Sequence, residues 1–144
     1  MSPDTVFTVA NLAVIPAWLL LALLPQHAIT QRMVHALWIP CLLACFYCWA
    51  LFFGEPSAEG AGFGSLDALT LLFQSKTALL AGWIHYLAFD LFIGAWQVRD
   101  AARRSIKHLF VVPCLFFTLM AGPLGLMLYL LLRLGLRRVT TLVE

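Results

Sequence analysis

His85 and Asp90 stand five residues apart in "GWIHYLAFDLFIGAW", residues 82–96, a run otherwise apolar enough to dissolve in lipid. An imidazole and a carboxyl are the two side chains best suited to move protons. In surroundings stripped of water both favour their uncharged forms, leaving a protonated carboxyl as an acid and a neutral imidazole as a base. An ionisable residue near the bilayer centre costs on the order of 2.5–3.5 kcal/mol, so its retention marks a candidate functional site. The structural alternative, that each side chain ties one helix to another, stands beside that reading.

On a helical wheel with His85 at zero, Phe89, Phe92 and Trp96 lie close to it, while Asp90 falls about 140° away with Trp83, Tyr86, Gly94 and Gln97. The axial offset adds about 7.5 Å, so the two groups cannot form a dyad on an undistorted helix. Each needs a partner from another helix, water or a ligand. The arc of Leu80, Ile84, Leu87, Ala88, Leu91, Ala95 and Val98 carries no side chain that hydrogen-bonds and is expected to face lipid. The opposite face is expected to line an interior, with Trp83, Tyr86, Phe89, Phe92 and Trp96 as an aromatic wall. By depth, Asn11, Thr118 and Tyr129 are the expected polar partners from other helices, with His35 or Arg32 reaching in from one end.

The elements that hold these residues follow from composition. The 144 residues are 62% hydrophobic and 11% charged, with a mean hydropathy of +0.92. A soluble domain carries about a quarter charged residues, so the chain is an integral membrane protein. Four apolar stretches, about 5–24, 32–53, 77–98 and 108–134, reach the roughly 20 residues needed to cross the hydrocarbon. The expected fold is all-α: a single transmembrane domain, a four-helix bundle, with a short interfacial helix over about 65–75 before the third segment. Ser2, Pro3 and Asp4 read as a helix start rather than as the basic leader of an export signal.

Basic residues collect at segment ends, where membrane lipid headgroups are the expected partner, and nothing implies nucleic acid. With four crossings, Arg32, Arg99, Arg103, Arg104 and Lys107 fall on one face against Lys76, Arg133, Arg137 and Arg138 on the other. Orientation then rests on the acidic 54–64 loop, which turns the first face towards the cytoplasm. Cys41, Cys45 and Cys48 have the CxxxCxxC spacing of some iron–sulfur sites, but on a helix they form a stripe about 10 Å long, read as small packing residues at a helix contact. Only His85 among the four histidines is deep, so a pair of axial haem ligands is not formed. "GAGFGS", 60–65, has no strand before it and reads as a flexible connection. Internal prolines at 16, 40, 113 and 123 predict kinks, with the Leu12 and Leu119 carbonyls freed of their helical donors.

"WIHYLAFDLF", 83–92, preceded by "LFQSKTALLAG" and followed by "CLFFTLMAGPLGLMLY", resembles the abscisic-acid-deficient-four-like family, membrane proteins required for neoxanthin synthesis in plastids. The similarity covers most of the chain, and Trp83, His85, Asp90, Phe92 and the Gly122-Pro123-Leu124-Gly125 turn carry it. The resemblance implies a protein acting on, or assisting enzymes that act on, a carotenoid or other isoprenoid. Violaxanthin becomes neoxanthin when an epoxide opens and a proton leaves to form an allene. That isomerisation is redox-neutral and calls for an acid and a base, with no cofactor and no metal. His85 and Asp90 are then the candidate catalytic residues, and Trp83, Tyr86, Phe89, Phe92, Trp96, Asn11 and Tyr129 the candidate substrate-binding set. No plastid transit peptide is evident, which sets the expectation of a bacterial inner-membrane protein with a substrate other than violaxanthin.

Two further classes stay open at the level of sequence. One is a non-catalytic carotenoid-binding or scaffold subunit, as a homo-oligomer or in a larger membrane complex. The other is a proton or ion path, ranked last because no polar relay is visible along the other helices.

Overall fold

The computed structural model describes residues 2–36, 38–138 and 140–141. Leu37, inside the second expected segment, lies outside the described residues. The helices are α1 (Pro3–Leu23), α2 (Ala28–Met33), α3 (Trp38–Phe52), α4 (Leu66–Leu72), α5 (Lys76–Arg103) and α6 (His108–Arg137). Four long apolar stretches, with α2 and α3 taken together as Ala28–Phe52, have the length and composition of membrane spans. The chain is thus all-helical and built for a bilayer, with the short α4 ahead of the third long helix. The starts follow capping chemistry: the Ser2 hydroxyl accepts from the Thr5 amide at 3.2 Å with Pro3 opening α1, and Ser65 accepts from Ala68 at 3.1 Å to open α4.

The helices do not surround a common interior. α5 is the hub, with α1, α3 and α6 each packed along it. One apolar arc of it lies in those contacts: Leu80, Ile84, Leu87, Leu91, Ala95 and Val98 are all buried. The expectation that this arc faces lipid is therefore corrected. A bilayer is as apolar as leucine, so lack of polarity does not tell a lipid face from a packing face. The open sector of α5 is the one carrying His85, Phe89 and Phe92, all exposed. Gly94 lets α1 approach, since a Cβ there would lie 2.7 Å from the Trp18 ring.

α3 buries only Leu43 and Ala50. Cys41, Cys45 and Cys48 point away from the other helices, and Cys114 is buried on α6. The cysteine stripe is thus on the outer side of α3 and not at a helix contact. α5 runs five residues beyond the end of its apolar stretch because Asp100 is buried against α6 and holds Arg104 through an i,i+4 ion pair at 2.8 Å.

α6 is broken. Ala121 has non-helical angles, φ −156° and ψ 71°, and the two halves, 108–120 and 122–137, lie against each other. A Cβ on Gly125 would collide with the backbone nitrogen and hydroxyl of Thr118, whereas residues seven apart on a straight helix are about 10 Å apart. Pro123 causes the break by removing a donor, and its fixed φ suits the first turn of the returning half.

Candidate active site at the break in α6

Asp90 sits where α6 turns. Gly122 has no side chain at the point of contact, and any Cβ there would overlap the Asp90 carboxyl. The glycine is required by this close approach. The carboxyl also lies at the start of the returning half of α6, the end of a helix that favours negative charge. Asp90 is only 9% exposed, and its Oδ2 has no hydrogen-bond partner among the described residues.

The freed carbonyl of Leu119 does find a donor. Tyr86 Oη gives its proton to Leu119 O at 2.8 Å, and the same hydroxyl lies within reach of the Asp90 carboxyl. The chain of cause runs from Pro123, which strips Leu119 of its helical donor, to Tyr86, which replaces it, to Asp90. Trp83 continues the cluster: its ring centroid is 5.3 Å from that of Tyr86 and 5.8 Å from that of Phe7. Its Nε1 donates to Asn11 Oδ1 at 3.2 Å, while Asn11 Nδ2 donates to Phe7 O at 2.7 Å.

His85 belongs to different surroundings. Its ring stacks on Phe89 with centroids 4.4 Å apart and lies 6.2 Å from Tyr47. It helps line an open groove of about 320 Å³ together with Tyr47, Leu51, Phe63, Phe73 and Gly82. Phe89 and Phe92 are 59% and 56% exposed. The candidate residues therefore do not form one cavity. Asp90, Tyr86, Trp83 and Asn11 make one cluster, His85 and Phe89 a second with Phe92 on the same open side, and Trp96 and Tyr129 a third, edge to face at 5.4 Å. The expected polar partners do engage α5, but Asn11 takes Trp83, Thr118 takes Gln97, and Tyr129 takes Asp100. His35 Nδ1 accepts from Arg99 Nη1 at 2.8 Å, near neither Asp90 nor His85.

The third cluster was not legible in the sequence. Asp100 accepts from Tyr129 Oη at 2.7 Å and from Arg104 Nε at 2.8 Å, and Arg133 Nε lies 3.4 Å from it. Arg133 is 1% exposed and Asp100 3%. The assignment of Arg133 to lipid headgroups is corrected: it is a buried partner of Asp100. One turn deeper, Gln97 and Thr118 bond each other at 3.0 Å, both fully buried. The series Asp90, Gly94, Gln97, Ala101 on α5 was a signal for Gln97, but Asp100 lies about 80° off it on the helical wheel. Among the described residues no three His, Cys, Asp or Glu side chains converge as a metal site would require.

A family model described as ABA DEFICIENT 4-like matches residues 5–129, which takes in Asp90, Tyr86, His85 and the α6 break. The chain belongs to that family. Among its relatives is the Arabidopsis thaliana protein ABA DEFICIENT 4, chloroplastic, 27% identical over 122 residues, covering 79% of this chain and 56% of the relative. The match thus spans little more than half the length of that family member. No solved structure matches.

Proposed function

We propose that this family member works in carotenoid or isoprenoid metabolism, as a redox-neutral acid–base isomerase of an oxygenated carotenoid, with Asp90 as the proton-transferring group. One observation carries the reading: a carboxyl buried at the middle of a membrane-length helix, one oxygen without a partner among the described residues, beside a tyrosine hydroxyl at a break in a second helix. A single carboxyl suffices for the chemistry. It gives its proton to the epoxide oxygen as the C–O bond breaks, and the carboxylate then takes a proton from the neighbouring chain carbon as the allene forms. One proton leaves, one returns, and no electrons are exchanged. Tyr86 orients the carboxyl, and Trp83 offers the adjoining aromatic surface.

A specific observation favours a second reading, a carotenoid-binding or scaffold subunit. His85, Phe89 and Phe92 form an outward aromatic strip, open to a polyene or a partner lying in the bilayer, and the Asp90 carboxyl lies against Gly122 at the start of the returning half of α6, a place in which it also serves packing. The experiment is to incubate the purified protein with a defined epoxy-carotenoid in nanodiscs, then extract and chromatograph the pigment. A new isomer of unchanged mass supports the first reading. Unchanged pigment that copurifies supports the second, and pigment neither bound nor altered contradicts both.

A further inference from the structure

Contacts along α6 run down α5 and then back up it. Thr118 meets Gln97, Leu119 meets Tyr86 and Gly122 meets Asp90. Tyr129 and Arg133 then meet Asp100, and Arg137 donates to the carbonyl of Ser105. Ser105 is three residues before His108, whose Nε2 lies 2.9 Å from Ala22 O at the far end of α1. A straight helix would put His108 and Arg137 about 43 Å apart; here both ends of α6 lie at one end of α5. The turning point is Asp90, about 20 Å from either end of α5.

We propose that α6 is a re-entrant helical hairpin: it enters the bilayer from the face of the 104–107 loop, turns at mid-depth on Asp90, and leaves by the same face. The chain then crosses the membrane three times. Its halves, 108–120 and 122–137, are about 20 and 24 Å long, each short of the roughly 30 Å hydrocarbon thickness. Irregular backbone is tolerated at that depth only where protein covers it, and Asp90, Tyr86 and Gly122 provide the cover.

This topology changes the charge balance. Arg32, Arg99, Arg103, Arg104, Lys107, Arg133, Arg137 and Arg138 now share one face, eight of the nine Lys and Arg residues, leaving Lys76 on the other with Asp4, Glu55, Glu59 and Asp67. Four crossings would divide the basic residues five to four. Because basic loops stay on the cytoplasmic side, the arginine face is cytoplasmic and the 54–64 loop is outside.

The test is a short epitope tag placed in the full chain after its last residue, within the exposed 54–64 loop, or before residue 2, detected in intact and in permeabilised bacterial spheroplasts. The expected result is that the C-terminal tag is reached only after permeabilisation, while the loop and N-terminal tags are reached in intact cells. A C-terminal tag on the same side as the other two overturns the hairpin. A C-terminal tag reached in intact cells while the others are protected overturns the cytoplasmic assignment. The N-terminal tag keeps the test decisive should the loop insertion disturb folding.

Discussion

The seam between α5 and α6 and the open sector of α5 are made from the same helix and the same lipid, yet differ in kind. Along the seam, Asp90, Gln97 and Asp100 are buried and face Gly122, Thr118, Tyr129 and Arg133. In the open sector, His85 stacks on Phe89 and faces Tyr47 of α3, and Phe89 and Phe92 are more than half exposed. Polar groups that enter hydrocarbon require partners, and α6 supplies them by turning back and offering both halves to α5. The seam is thus where the fold is fixed. The open sector is left without such partners from α6, and in the proposed reading it is the face a carotenoid would meet.

Variants that separate these two regions should rank accordingly. Asp100→Ala leaves Arg133 buried without its carboxylate, and loss of a buried ionic partner is worth about 3–5 kcal/mol; thermal unfolding in detergent should show the largest drop of the series. Gly122→Ala drives a methyl into the Asp90 carboxyl, an overpacking cost of about 1–3 kcal/mol, visible as a smaller drop with the Asp100 cluster intact. Thr118→Val strands the Gln97 amide and should cost about 1–2 kcal/mol by the same measurement. Phe89→Ala, in the open sector, should change stability by no more than about 0.5 kcal/mol while reducing copurifying pigment several-fold. Equal destabilisation by Phe89→Ala and Thr118→Val would erase the distinction between the regions.

What the sequence disclosed, and what it hid, follow the same line. The long apolar helices, the start at Pro3, the short helix before Lys76 and the carbonyl freed at Leu119 could be read from hydropathy, capping residues and proline. The inner side of α5 could not, because Leu80, Ile84, Leu87 and Leu91 look alike whether they meet lipid or another helix. Asp100 was hidden among Arg99, Arg103 and Arg104, where a carboxylate reads as part of a solvated helix end. Pro123 announced a kink, but that the chain reverses there was hidden most deeply: a 30-residue apolar run has the same hydropathy whether it crosses or returns. Only contacts distant in sequence, such as Tyr129 with Asp100, distinguish the two.

Asp90 joins the two themes, since it is both the seat of the α6 turn and the proposed proton carrier. Asp90→Asn preserves size and hydrogen-bonding capacity but removes the exchangeable acid. The decisive measurement is conversion of a defined epoxy-carotenoid by purified wild-type and Asp90→Asn proteins of equal helicity in nanodiscs. The account predicts an isomer from the wild type and, from Asp90→Asn, retained pigment with at least a hundredfold slower conversion, on the order expected for loss of a general acid–base group. Conversion by Asp90→Asn at the wild-type rate would contradict it.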